Sequence, residues 1–317
     1  MIILKIYMNN QILVTGKNGQ LGQSLRKIIN NEKYLNSLKA NEEELISKEL
    51  NFIFVSRNEL NLTNEKSLND FFKKNQFYAI INCAAYTSVD EAEFNNEEAE
   101  KVNSLAVAQL AFLAKSQNIP LIHISTDFVF SGQNSNPYLE SDETKPENFY
   151  GFTKLKGENF IRQSGCVGAI IRTSWLYSEF GNNFVKTMLS LGKKNKSCRV
   201  INDQLGSPTY SINLANLLLS LIYIKRTNKI LNSYLNTYHY SDEGICSWYE
   251  FAKTIFELSE MKTKIIPIDT KDYPQQAIRP KYSALNLNKI KNHLPKLKVP
   301  HWKVSLSNCL FAINSKS

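Results

Sequence analysis

The chain is 317 residues long and 43% hydrophobic, the composition of an ordinary globular protein with enough length for one large domain or two modest ones. Lys and Arg number 38 against 29 Asp and Glu, a net of +9, but the lysines are dispersed and no zinc finger or RNP motif accompanies them; the expected surface is basic and solvated, suited to anionic small molecules such as nucleotides and not to nucleic acid. Five scattered cysteines without a C-x-x-C pair, and four histidines without an H-x-x-x-H spacing, argue against a disulfide framework or a metal site and for reduced thiols in a cytoplasmic protein.

Residues 1–8 have apolar character but lack a signal-peptide core and a small-residue cleavage site, so they read as a ragged extension ahead of the first strand. That strand, Gln11 to Thr15, breaks into Gly16-Lys-Asn-Gly19-Gln-Leu-Gly22, and a helical stretch follows from Gln23 to Ile29. Glycines at this spacing between strand and helix allow a tight turn, close approach of backbone amides to a pyrophosphate, and close helix packing, which favours a dinucleotide site over a mere turn. A polar link, Asn30 to Glu49, carries a short helical signal at Asn41-Glu-Glu-Glu-Leu-Ile46. The second strand, Asn51 to Val55, ends at Ser56-Arg57. A dinucleotide fold reads the ribose of NAD there with an acid, or the phosphate of NADP with a cation. With no acid at that point in the sequence, Arg57 tilts the expectation to NADP; the alternative is a surface arginine without that role.

Leu60-Asn-Leu-Thr-Asn64 reads as a cap for the helix Glu65 to Lys74, and the strand Phe77 to Ile81 runs into Asn82-Cys-Ala-Ala-Tyr-Thr-Ser-Val-Asp90, whose small residues let a cofactor lie against the backbone. A helix from Glu97 to Gln117 leads to the strand Pro120 to Ser125, in which His123 reads as a satisfied core residue. This alternation predicts an α/β protein built on a doubly wound, Rossmann-like parallel sheet, with ligands at the carboxyl ends of its strands. The glycine loop, the stretch 82–90, Thr126 and Tyr150 all fall at that edge.

If Tyr150 opens a helix, Lys154 lies one turn on, about 6 Å away on the same face. A phenol titrates near ~10 in water, and a fixed positive charge beside it favours the phenolate. Tyr150 is therefore a candidate general acid or base, Lys154 its activator, and Thr126 a hydroxyl able to bond the same substrate oxygen. Alone, Tyr-x-x-x-Lys is more often an exposed helix face. The strand Val167 to Thr173 closes a dinucleotide-binding domain, 9–173. From Ser174 the texture changes to polar and aromatic segments between helices at Asn213 to Lys225 and Trp248 to Ser259. This smaller mixed region, 174–317, is expected to bind mainly substrate and partly to return to the sheet. The most apolar tract, Leu214 to Ile224, falls short of the ~20 residues of a spanning helix, so no membrane partner is expected.

Taken together these segments resemble the extended short-chain dehydrogenase/reductases over nearly the whole length from Gln11. Arg172-Thr-Ser-Trp-Leu-Tyr177, Gly181-Asn-Asn-Phe184, Val200-Ile-Asn-Asp-Gln-Leu-Gly-Ser-Pro-Thr209 and Arg279-Pro280 narrow the likeness to the dTDP-4-dehydrorhamnose reductase group. The resemblance implies hydride delivery from NADPH or NADH to the C4 ketone of dTDP-4-dehydro-6-deoxy-L-mannose, giving dTDP-L-rhamnose. It implies that Tyr150 protonates the C4 oxyanion, Lys154 holds the nicotinamide ribose and tunes Tyr150, and Thr126 polarises the ketone. Asp127 and Trp175 match sugar-nucleotide contacts; Gly19, Gln20, Leu21, Asn61, Leu62, Ala84, Ala85 and Tyr86 match cofactor contacts, to which the residue reading adds Gly16, Gly22 and Arg57.

The chain departs from the family pattern at Ser56, where an acid is common, and at Asn61, where Asp is common. No acidic cluster matches the interface metal of some relatives, so no metal is expected, and monomer and homodimer both stay open. Two other readings remain. One is a reductase of another nucleotide-linked 4-keto-6-deoxy sugar, since C4 stereochemistry depends on which sugar face meets the hydride. The other is a non-catalytic NADP-binding regulatory subunit, which has no need of Thr126, Tyr150 and Lys154 together.

Overall fold

The computed structural model describes residues 10–31, 50–224 and 230–315. The extension 1–8 and the helical signal at 41–46 lie outside them. Five strands, β1 (Gln11–Thr15), β2 (Asn51–Val55), β3 (Ala79–Asn82), β4 (Leu121–Thr126) and β5 (Gly168–Thr173), join a sixth, β6 (Leu235–Tyr240), in one sheet of order β6-β5-β4-β3-β1-β2. Every pairing in it is parallel. β2 lies on one side of β1 and all later strands on the other, so the order reverses at the β1–β3 pair. A crevice opens at the carboxyl ends of two strands whose connections leave in opposite directions.

The strands read as near-continuous apolar runs because helices cover both faces. All residues of β3 and β5 are buried. On one face Ile12, Val14, Ile81 and Ile171 pack with Leu21 and Leu25 of helix α1 (Gln20–Ile29). On the other, Leu13, Ile80, Leu121 and Ile170 meet Leu68 of α2 (Glu65–Lys74), Leu110 of α3 (Ala106–Ser116) and Ile161 of α4 (Phe149–Ser164). Helix α5 (Ser211–Ile224) returns to the first face, Leu214 and Leu218 joining its cluster, and β6 then pairs with β5 from Leu235↔Gly168 to Tyr240↔Thr173.

The helix expected from Glu97 to Gln117 runs without a break through Asn96–Glu100, a π-helical turn (Lys101–Leu105) and α3. Such π-helical turns inside helices are rare and frequent at functional sites. Buried Asn103 accepts from Tyr86 N at 2.9 Å and donates to Tyr86 O at 3.0 Å, tying the helix to the loop after β3.

A third apolar cluster, including Tyr177, Val185, Phe251, Ile255 and Trp302, unites the helices Phe184–Lys194, Trp248–Leu258 and Trp302–Asn314. Ser247 and Glu250 form a reciprocal capping box at the start of the second of these. Among the described residues no helix is long and apolar enough to cross a membrane, and no group of three or more His, Cys, Asp or Glu is arranged to hold a metal ion. The five cysteines are free thiols.

Candidate active site

The glycine loop packs directly on the loop after β3. Gly16 has φ +72, and a Cβ there would stand 2.7 Å from the Cys83 carbonyl carbon, so only glycine fits both the conformation and the contact. A Cβ on Gly22 would come within 2.3 Å of Gly16 O, which is why α1 can start immediately beneath the turn. Gly19 is the N-cap of α1 and no side chain caps that helix end. The leading N–H groups of α1 and the positive end of its dipole thus suit an anion, and the arrangement fits a dinucleotide pyrophosphate.

From this loop a cavity of about 370 Å³ extends toward β2, a size suited to a nucleoside moiety. Gly16, Gly19, Arg57, Asn61, Leu62, Ala84, Ala85 and Tyr86 all line it. Asn61 also serves its own turn, its Oδ1 accepting from Thr63 N at 3.1 Å and Thr63 Oγ1 at 2.9 Å. The end of β2 has acidic neighbours that linear order conceals. Glu59 folds back so that Oε2 accepts from Ser56 N and Oγ at 2.7 Å, while Oε1 takes the Lys17 ammonium at 2.6 Å. The Lys17 hydrogen bond and those from Ser56 hold the Glu59 carboxyl down to about 2. Glu98, which lines the cavity itself, accepts from Arg57 Nη2 at 2.8 Å.

A second cavity, about 650 Å³, continues past Gly19, Gln20, Leu21 and Ala85 to Thr126, Asp127, Tyr150, Lys154 and Trp175. Gly22 lines neither cavity. The Gln20 side chain bridges to the later part of the chain, its Oε1 accepting from Ser178 Oγ at 2.9 Å and from Asn183 Nδ2 at 3.0 Å. That link fixes the 176–183 segment against the start of α1.

Tyr150 is placed by the first turn of α4. Asn148 caps the helix, its Oδ1 accepting from Gly151 N at 2.8 Å, a contribution of about 1 kcal/mol, and its Nδ2 donates to Ile278 O at 2.7 Å. A Cβ at residue 151 would lie 2.2 Å from Phe128 O. Glycine there lets the helix rest on the turn after β4, and Tyr150 meets Phe128 edge to face at 5.9 Å. Thr126, at the end of β4, lies beside the Tyr150 phenol and acts to lower its pKa. The two groups belong to elements held together by backbone contact.

Lys154 does not lower the phenol in the manner expected from helical spacing. Its Nζ turns to the sheet, donating to Ile124 O at 2.6 Å and lying 3.2 Å from His123 Nε2. Burial pushes the Tyr150 phenol up to about 12, Thr126 opposing, and burial brings the Lys154 ammonium down to about 8. The physical reason is desolvation, which disfavours the charged form of each. Tyr150 therefore rests as a proton donor.

The far wall of this cavity is aromatic and charged. Trp175 has φ +45, uncommon for a bulky residue, and its ring is stacked on Trp248 with centroids 3.5 Å apart; a Cβ on Gly206 would strike it at 2.7 Å. Asp127, 2% exposed, accepts from Thr126 Oγ1 at 3.0 Å, while its Oδ2 has no hydrogen-bond partner among the described residues. Burial pushes this carboxyl up to about 7. Arg279, also at the wall, is gripped by Asp90 through Nη1 at 2.9 Å and Nη2 at 2.6 Å, and that pairing holds the Asp90 carboxyl down to about 2. Trp248, Arg279, Asn82 and Asn103 have no assigned role in the sequence reading. Only the polar residues inside otherwise apolar stretches, as in Ile80-Ile-Asn82, give a signal that finds them.

A family model described as the RmlD substrate binding domain matches residues 10–314. A dTDP-4-dehydrorhamnose reductase of Aggregatibacter actinomycetemcomitans is 37% identical over 94% of this chain and 97% of its own length. Among solved structures, a dTDP-4-dehydrorhamnose reductase from Clostridium acetobutylicum is 38% identical, with TM-score 0.84 over 96% of this chain and 99% of that one. Another, from Bacillus anthracis in complex with NADP, is 35% identical with TM-score 0.84, covering 96% of this chain and 100% of that chain.

Proposed function

The chain belongs to the RmlD substrate binding domain family, and on that premise we propose that it reduces the C4 ketone of dTDP-4-dehydro-6-deoxy-L-mannose to dTDP-L-rhamnose with NADPH, NADH serving less well. The observation that carries this reading is the meeting of Thr126, Tyr150 and Lys154 on one cavity that continues into the glycine-loop crevice. When bound, the nicotinamide supplies hydride. The remaining work belongs to side chains of this chain.

Thr126 and Tyr150 hold the ketone oxygen from two sides, and Tyr150, protonated through the neutral range, gives its proton to that oxygen as charge develops on it. Lys154 holds the nicotinamide ribose. Asp127 Oδ2 offers an unpaired acceptor to a sugar hydroxyl, and Trp175, braced by Trp248, offers an apolar wall to the sugar nucleotide. In this reading residues 9–173 carry the cofactor and 174–317 mainly the sugar nucleotide, in a cytoplasmic monomer or homodimer.

Incubation with the keto sugar and NADPH, followed by NMR of the product, tests the reading. Rhamnose configuration at C4 is expected; a 6-deoxytalose would make the chain a sister reductase, and an unreacted sugar would make it a binder. Arg57 is 67% exposed and Glu98 engages one of its nitrogens, which leaves other donors for the ribose phosphate of NADPH. Arg57→Ala is expected to raise KM for NADPH about tenfold with little change for NADH, the loss of one charge-assisted contact. Equal effects on both cofactors in steady-state assays would remove Arg57 from phosphate recognition.

A further inference from the structure

Four donors converge on one carboxylate at the edge of the larger cavity. Asp90 belongs to the short turn Val89–Ala92 that follows the loop after β3. Its Oδ1 accepts from Gln276 N at 3.2 Å, Ala277 N at 3.0 Å and Arg279 Nη1 at 2.9 Å, and its Oδ2 from Arg279 Nη2 at 2.6 Å. The segment 276–280 is thereby wrapped around Asp90, and two further contacts fasten it. Ile278 O accepts from Asn148, the cap of α4, at 2.7 Å; Pro280 packs on Gly132 so closely that a Cβ there would stand 2.4 Å from the proline Cβ. Residues 90, 132 and 148 thus hold a strap from late in the chain, and the strap carries Arg279 to the cavity wall.

The bidentate grip decides which donors remain. A guanidinium has five N–H groups in a rigid plane, and Asp90 occupies the end-on fork made by Nη1 and Nη2. Nη1 is engaged further by Gln275 Oε1 and Ala277 O, both at 3.3 Å. Nε–H and the outer N–H of Nη2 lie on the same side of the plane and have no hydrogen-bond partner among the described residues. Two parallel donors at that spacing match two oxygens of a phosphate.

Charge points the same way. Among the described residues that line the larger cavity, Lys154 and Arg279 are the cations, and Lys154 Nζ is taken up by Ile124 O. Arg279 lines this cavity and not the glycine-loop crevice, so the anion it meets is a ligand of the larger cavity.

We propose that Asp90 is a positioning residue that presents the side-on fork of Arg279 to the diphosphate of the bound sugar nucleotide. The inference rests on the reductase reading for the class of ligand, a nucleoside diphosphate sugar. Asp90 itself subtracts positive charge, since a bare guanidinium would attract an anion more strongly. What the carboxylate contributes is direction: it fixes a long side chain in one geometry before the ligand arrives. The grip persists through the neutral range, because the Arg279 pairing keeps Asp90 ionised.

Titration of dTDP and of thymidine into protein saturated with NADP, by calorimetry and ligand-observed NMR, tests this; the NADP keeps dTDP out of the glycine-loop crevice. Arg279→Met is expected to weaken dTDP about tenfold or more, the loss of a charge-assisted pair, and to leave thymidine, which has no phosphate, within about twofold. Asp90→Asn removes an anion yet sets an amide N–H against the guanidinium. It is expected to weaken dTDP about threefold or more, with thymidine again unchanged. Were Arg279 a bare charge, Asp90→Asn would bind dTDP more tightly. Equal or tighter dTDP binding in that variant, wild-type dTDP binding in Arg279→Met, or a thymidine loss equal to the dTDP loss each overturns the proposal. No turnover enters these titrations. A chain that holds dTDP through Arg279 but leaves the keto sugar unreduced keeps this inference and loses the reductase reading, and variants that bind dTDP as the wild type does sink the inference while reduction stands.

Discussion

Tyr150→Phe is expected to leave cofactor affinity within about twofold and to lower kcat by about 10²-fold or more, the order for removing a positioned general acid. The phenol is held up to about 12 by burial, so at neutral pH the wild-type group is almost wholly protonated. Phenylalanine keeps the edge contact with Phe128, and Gly151 keeps α4 seated on the turn after β4, so the loss is confined to one oxygen and its proton. Cofactor titration by fluorescence and steady-state rates separate the two effects. Turnover equal to wild type would take Tyr150 out of the proton transfer.

Arg172→Met is expected to destabilise the fold by about 3–5 kcal/mol, because it strands a carboxylate in the interior. Arg172 and Glu158 are 2% and 0% exposed, joined by Nε to Oε1 at 3.0 Å and Nη2 to Oε2 at 2.8 Å. The guanidinium also lies 5.0 Å from the centre of the Phe130 ring. Arg162, at 2.8 Å from Oε2 and partly exposed, remains as an ion-pair partner. Urea unfolding checks the figure, and a loss below about 1 kcal/mol would mean the pair contributes no more than a surface one. Adding Glu158→Leu is expected to restore much of the loss, since replacing both charges is far less costly than removing one.

The pair also fixes a pH dependence. Burial alone would raise the Glu158 carboxyl, yet the hydrogen bonds and charge of Arg172 leave it below its ordinary value. A depressed folded-state pKa means the stability is fully present above the unfolded pKa near 4.5 and is lost as pH falls through the folded one. In Arg172→Met the carboxyl rises toward or above the unfolded value, so stability no longer falls with acid in that window.

The sheet was legible because its strands are short apolar runs separated by helical periods: the first two strands and α2 have the bounds their patterns predict, and β6 comes from the region expected to return to the sheet. Local spacing also carried Tyr150 and Lys154 to one helix turn. It did not carry the direction of the Lys154 side chain, which is decided by Ile124 O and His123 from a strand some thirty residues earlier in the chain. Nor did it reveal the acids near Arg57, because Glu59 arrives through a turn and Glu98 from another helix. His123 looked like a satisfied core residue and is one. What the linear order withheld is that its partners are Asn82 and Lys154, which strand register and a helix crossing bring together.

A crystal structure with NADP and a dTDP-sugar bound tests the account most directly. The sugar C4 oxygen is expected within about 3 Å of both Thr126 Oγ1 and Tyr150 Oη, with the nicotinamide ring on the adjacent face of C4 and Asp127 against a sugar hydroxyl. A sugar seated elsewhere, or a nicotinamide remote from Tyr150, would contradict it.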